Sequence, residues 1–201
     1  MAMHLLARCM SMATDTIAPP LQSGTELGRL LKRLELENVN SYLEIGARYG
    51  GTFEAVMSQI EGKGVAVDFP GGNFGDENSA ITLSNTISKL RASGRDVHVV
   101  FGPSSAPEVV DRVAKHGPYD CVMIDADHSL KAISRDYEIY ARMARKIIAI
   151  HDIAAPDDWK NRDGHRVQVG KFWRYLKKHI GDNMEEIIEP GSNMGIGIIF
   201  K

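Results

Sequence analysis

The 201-residue chain is expected to fold as an α/β domain. A doubly wound sheet of seven strands, mostly parallel, should close with an antiparallel hairpin at the C-terminus. Three observations predict this. Short apolar runs alternate with segments of helical periodicity from Tyr42 to His151, as in successive βαβ units. The runs are nearly continuous in apolar character, as parallel strands covered on both faces are. The last two runs, Met184–Ile188 and Met194–Phe200, leave no room for a helix between them and should pair antiparallel.

The elements follow in order. Thr25 to Glu35 is helical, with Leu27, Leu30, Leu31 and Leu34 at helical spacing. Tyr42-Leu43-Glu44-Ile45 is a strand stopped by Gly46, and Thr52 to Ile60 is a helix. Val65-Ala66-Val67-Asp68 is the second strand. A glycine-rich loop, Phe69 to Gly75, leads to a helix over Ala80–Arg91 with Leu83, Ile87 and Leu90 on one face. Val97–Phe101 is a strand and Ala106–Lys115 a helix. Asp120–Asp125 is a strand, Leu130–Ala144 a helix, Lys146–His151 a strand and Val167–Ile180 a helix. Trp173, Phe172 and Tyr175 lie on that last helix, where aromatics at helical spacing read as core.

Composition narrows the class. Lys+Arg 24 against Asp+Glu 26 gives a net charge of −2, without the basic excess of a nucleic-acid binder. A hydrophobic share of 43% is ordinary for a globular domain. No apolar stretch approaches the ~18 residues of a membrane span. Two cysteines, Cys9 and Cys121, make no disulfide framework. The N-terminus has neither the charged start nor the long apolar centre of a secretory signal, so a cytoplasmic protein is expected. Residues 1–22 read as an arm and 23–201 as a single domain. The arm, rich in Met and Leu, could pack on a second subunit as a homo-oligomer contact; it could equally be disordered.

In doubly wound sheets ligands sit beyond the carboxyl ends of the strands. The segments there are Glu44–Gly51, Asp68–Gly75, Gly102–Ser105, Asp125–His128 and His151–Asp158. Glu44 stands two residues before Gly46, badly placed for a pyrophosphate and well placed for an ammonium or sulfonium charge. The spacing also departs from the dinucleotide fingerprint, because Arg48 stands where that motif needs glycine. Asp68 could accept both hydroxyls of a ribose. Ser104 or Ser105 could cap the next helix, with an adenine contact as the weaker alternative. Asp125, His151 and Asp152 end neighbouring strands, and their oxygen and imidazole donors suit Mg²⁺, Mn²⁺ or a harder transition metal. His128 could take a proton from a substrate hydroxyl. Equally, Asp127 or Ser129 could simply cap a helix, and His151 could be a core histidine. The polar loop from Asp157 to Arg166 could fold over the site as a lid or stay a solvated surface loop.

Taken together, Tyr42-Leu43-Glu44-Ile45-Gly46 with Gly50-Gly51, Val67-Asp68, Tyr119 to Ser129 and Ala149-Ile150-His151-Asp152 resemble the class I S-adenosylmethionine-dependent methyltransferases. The Asp-x-Asp-His-Ser stretch followed by His-Asp resembles the branch of small-molecule and sugar O-methyltransferases and cephalosporin-hydroxylase-like proteins. The resemblance spans Ser41 to Lys201 and implies a Rossmann-like sheet with a reversed last hairpin. It implies that Glu44, Gly46 and Gly50 line the methionine part of the cofactor, with Asp68 on the ribose; Ser104 and Asp125, by their places after strands, are further candidate cofactor contacts. In metal-dependent members, positions matching Asp125, His151 and Asp152 bind Mg²⁺, and the base matches His128. His151 departs from that pattern, since those members often carry an acid or an Asp–Asn pair.

The expected function is O-methylation of a small hydroxylated molecule, with a divalent metal as optional assistance. The alternatives are a metal-independent methyltransferase acting on another acceptor, a nicotinamide-binding oxidoreductase, and a non-catalytic cofactor-binding or assembly protein with the same fold. The missing dinucleotide spacing speaks against the oxidoreductase.

Overall fold

In the computed structural model, residues 19–20, 22–161 and 163–201 are described. Most of the arm, with Cys9, lies outside them. The elements are α1 (Gly24–Leu36), β1 (Ser41–Ile45), α2 (Gly51–Gln59), β2 (Lys63–Asp68), α3 (Ser79–Ala92), β3 (Val97–Phe101) and α4 (Pro107–Ala114). They continue with β4 (Tyr119–Ile124), α5 (Leu130–Tyr140), β5 (Ala144–His151), α6 (Val169–Ile180), β6 (Met184–Ile187) and β7 (Ile196–Phe200).

The strands form one sheet in the order β3-β2-β1-β4-β5-β7-β6. Neighbours from β3 to β5 are parallel, and β7 runs antiparallel to both β5 and β6. The expected hairpin is present, with its second strand inserted between the first and the rest of the sheet. Strand order reverses between β1 and β4, so their carboxyl ends open the crevice where ligands bind in such sheets.

Each face of the sheet carries its own core. Leu43, Val65, Val122 and Ile148 point to one side, under α4, α5 and α6. Tyr42, Ala66, Cys121 and Ile147 point to the other, under α1, α2 and α3. This alternation is why the strands are apolar throughout: both faces are buried. Cys121 is a free, buried thiol; burial pushes its pKa well up and holds it protonated. No helix among the described residues is long and apolar enough to cross a membrane.

One expected boundary was wrong. The fifth helix ends at Tyr140; Ala141–Met143 tighten into a 3₁₀ turn, and β5 starts at Ala144. The pattern of Leu130, Ile133, Tyr137 and Tyr140 ends at the same place. Ala141 and Ala144 were read as helical by propensity, which tertiary pairing with Tyr119 on β4 overrides.

Trp173 and Phe172 of α6 are buried as core, whereas Tyr175 is 56% exposed. Trp173 lies flat over Gly197 of β7, where an added Cβ would come within 2.4 Å of the indole ring. Its Nε1 donates to Glu186 Oε1 at 2.6 Å. Gly197→Ala must push the indole out of register with β7, an overpacking typically worth about 1–3 kcal/mol. Chemical denaturation should show that loss; an unchanged midpoint would mean the ring is free to shift.

Candidate functional site at the carboxyl ends of β1 and β4

Two glycines let the chain turn here. Gly46 has φ +93°, and a Cβ on it would lie 2.2 Å from the carbonyl oxygen of Asp125. The backbone N–H of Asp125 in turn donates to the Ile45 carbonyl at 2.8 Å. Only glycine fits this approach, which draws Glu44 and Asp125 to one crevice. Gly50, at φ +86°, precedes α2 without a side-chain cap, so the first N–H groups of α2 carry no capping side chain. Pro19, Gln22, Glu44, Gly46, Ala47, Tyr49, Gly51, Thr52 and Asp125 line the crevice.

Glu44 is fully buried, with Tyr42 OH donating to Oε2 at 2.9 Å. Burial pushes its carboxyl up to about 8, because the Tyr42 hydrogen bond offsets only part of the lost hydration. The His151 charge lowers it only in small part, and among the described residues no cationic side chain forms an ion pair with Glu44, so the carboxyl is poised to receive a cation. Asp68 ends β2, also buried. The backbone N–H of Arg48 donates to Oδ1 at 2.9 Å and Ser79 Oγ to Oδ2 at 2.7 Å. Burial raises its pKa, with the Ser79 bond opposing. Phe69 N–H also bonds this carboxylate, which keeps lone-pair capacity for a ribose hydroxyl.

Ser104 does not cap α4. Its Oγ donates to Asp136 Oδ1 of α5 at 2.6 Å, and its carbonyl accepts from Tyr140 OH at 2.5 Å. The cap of α4 is Ala106, with Pro107 starting the helix. Proline has no N–H to satisfy there, which lessens the need for a capping side chain. Ser129 is the N-cap of α5, and Asp127 Oδ1 accepts from its backbone N–H at 2.8 Å.

The structure brings Asp125, His128, His151 and Asp152 together. His151 Nδ1 lies 3.0 Å from Asp125 Oδ1 and 3.5 Å from Asp152 Oδ1. His128 Nδ1 lies 2.9 Å from Asp152 Oδ2, and its Nε2 lies 3.4 Å from Asp125 Oδ1. Asp152 reaches this position from a left-handed backbone, φ +61°, which aspartate tolerates better than most residues. Burial alone would lower both imidazoles. The carboxylates outweigh it and push His128 up to about 10 and His151 up to about 9. The same contacts, His151 first, overcome burial at Asp125 and hold it well below the usual carboxylate range.

Two residues that sequence reasoning missed complete the site. Gln22, assigned to the arm, is buried; its Nε2 donates to Asp125 Oδ2 at 2.8 Å, and its Oε1 accepts from Thr52 Oγ1. No local pattern marks a lone glutamine after Pro-Pro. Phe74, in the glycine-rich loop, stacks on His128 with ring centroids 4.8 Å apart and lies 5.6 Å from His165. Tyr49 OH ties that loop down at Asp76. The aromatic Phe74 set between glycines Gly72 and Gly75 was the available signal. The loop from Asp157 to Arg166 reaches the same place through His165, and Gln168 N–H donates to the His128 carbonyl at 2.7 Å.

The donors do not form a metal site. Both imidazoles engage Asp125 Oδ1, Gln22 occupies Asp125 Oδ2, and His128 occupies Asp152 Oδ2. Among the described residues, no group of three or more His, Cys, Asp or Glu side chains could hold a metal ion.

Solved structures share this architecture. The O-methyltransferase from Bacillus cereus in complex with SAH superposes with a TM-score of 0.66 at 17% identity, over 98% of this chain and 91% of that one. The O-methyltransferase TomG from Streptomyces achromogenes, involved in tomaymycin synthesis and in complex with SAM, superposes with a TM-score of 0.65 at 14% identity, over 98% and 88%. The chain has the methyltransferase fold. The SAH-bound methyltransferase PaMTH1 from Podospora anserina shares this fold at a TM-score of 0.59 and 14% identity, over 98% of this chain and 87% of that one. No protein-family model matches the sequence, and no curated protein matches it. Within the methyltransferase fold, the crevice described above lies at the switch in strand order.

Proposed function

We propose that the protein is an S-adenosylmethionine-dependent methyltransferase that methylates a hydroxyl group of a small molecule without a metal ion. One observation carries this reading: a buried carboxyl, Glu44, sits in the wall of the strand-switch crevice with Asp125 close by, and among the described residues no cationic side chain forms an ion pair with it. A ligand with an ammonium and a sulfonium charge supplies what this wall lacks. The fold neighbours in complex with SAH and SAM support the same ligand class.

S-adenosylmethionine supplies an activated methyl group, so the protein's task is alignment and proton handling. Glu44 and Asp125 offset the cationic end of the ligand, and Gly46 and Gly50 let it pass close to the backbone. Asp68 takes the ribose hydroxyls. Asp152 holds His128 through Nδ1, and Nε2, 3.4 Å from Asp125 Oδ1, is the nitrogen that takes the proton of an acceptor hydroxyl once Asp125 turns to the ligand's cation. A cation seated beside Asp125 weakens that carboxylate's hold on the His128 proton, which lowers the imidazole pKa toward working pH. Phe74 stacks on the imidazole, and His165 packs against the Phe74 ring.

Calorimetric titration with S-adenosylhomocysteine, on chelator-treated protein and then with Mg²⁺, tests this reading. Micromolar binding that is the same under both conditions is expected. Absence of binding would reject the methyltransferase reading, and a Mg²⁺-dependent gain in affinity would restore the metal.

A further inference from the structure

The crevice is closed by the protein's own chain. Pro19 and Gln22 form part of its wall, and the free space left is about 20 Å³, enough for little more than one water molecule. The peptide joining Pro19 to Pro20 lies against the start of α2, where a Cβ on Gly51 would come within 2.5 Å of Pro20 N. Gln22 spans the mouth between α2 and β4. Its amide NH₂ donates to Asp125 Oδ2 at 2.8 Å, and its amide oxygen takes the Thr52 hydroxyl.

This donor and acceptor pair has the polarity of an amino acid. An ammonium would donate to Asp125 and Glu44. A carboxylate would accept from Thr52 and from the uncapped N–H groups at the start of α2. The stretch has a fixed end from which to swing. Ser23 caps α1, and its Oγ donates to Glu189 Oε2 at 2.7 Å. Glu26 accepts from the backbone N–H groups of Glu189 and Gly195 at 2.9 and 3.3 Å.

We propose that Gln22 is a built-in stand-in for the amino-acid end of the crevice's ligand, bridging Thr52 and Asp125 until that ligand displaces the stretch bearing Pro19, Pro20 and Gln22. The proposal rests on the methyltransferase reading. A ligand that must displace a bound side chain binds more weakly by the fraction of time the crevice is open.

The test compares wild-type and Gln22→Ala protein by calorimetry, with S-adenosylhomocysteine and with adenosine, which lacks the amino-acid end. Gln22→Ala is expected to bind S-adenosylhomocysteine tighter, on the order of tenfold, with adenosine affinity unchanged. Unchanged or weaker binding of S-adenosylhomocysteine overturns the proposal, as does equal tightening of both ligands. Wild-type protein that binds neither ligand overturns the methyltransferase reading itself. Hydrogen exchange on wild-type protein gives a check independent of the variant's folding. Saturation with S-adenosylhomocysteine should speed exchange in the peptide that contains Gln22, and slowed exchange there would overturn the displacement.

Discussion

Glu44→Gln is expected to stabilise the ligand-free protein at alkaline pH and to weaken binding of S-adenosylhomocysteine. The carboxyl is held up to about 8 in the folded protein, against an ordinary value of 4.5. Below pH 4.5 both folded and unfolded chains keep the proton, and burial costs nothing extra. Between 4.5 and 8 the unfolded chain releases it while the folded protein retains it, so stability falls as pH rises. Above pH 8 the cost is constant. That gap corresponds to roughly 5 kcal/mol at ~1.4 kcal/mol per pH unit, an upper bound for a site that relaxes. The amide keeps an acceptor for Tyr42 OH and removes the titration. Urea unfolding at pH 9 should show a gain on the order of 2 kcal/mol, shrinking to nothing near pH 4. Calorimetry should show affinity for S-adenosylhomocysteine weakened at least tenfold. A variant no more stable at pH 9, or one that binds normally, would mean that Glu44 is not a cation receptor.

His128→Ala is expected to cut methyl transfer by about 10²–10⁴-fold, the usual contribution of a positioned base. Affinity for S-adenosylhomocysteine should change by less than about twofold, because His128 does not line the crevice. The fold should survive the change. Asp125 keeps His151 at 3.0 Å and Gln22 at 2.8 Å, although Asp152 loses its partner at Oδ2. Turnover is read as transfer of labelled methyl to an acceptor found by screening hydroxylated small molecules. Equal losses in turnover and cofactor affinity would reject His128 as the base and make it a structural partner of Asp152.

Much of the site was legible because it is local. Glu44 and Gly46, Asp68, Asp125 and His128, and His151 with Asp152 each follow an apolar run, and chain order alone puts them at strand ends on one side of the sheet. Reading a function for them was harder. The donors at Asp125, His151 and Asp152 are the right types for a cation, yet both Asp125 oxygens are taken up by His151 and Gln22, while His151 Nε2 and Asp152 Oδ1 are left without a partner. Ser104 looked like a cap because it precedes a helix, and it bonds Asp136 on a distant helix instead. Composition says what a residue can do; only its neighbours decide which option it takes.

The sequence by itself determined the alternation, the reversed final hairpin and the positions of the strand-end carboxylates and imidazoles. Those depend on periodicity and on residue types within a few positions of each other. The tertiary structure alone decided that Gln22 lies on Asp125 across 103 residues, and that Phe74 covers His128. It also decided that β7 enters the sheet between β5 and β6. These pairings join segments far apart in the chain. Their free energy comes from burying a side chain against a surface that exists only after the sheet has formed.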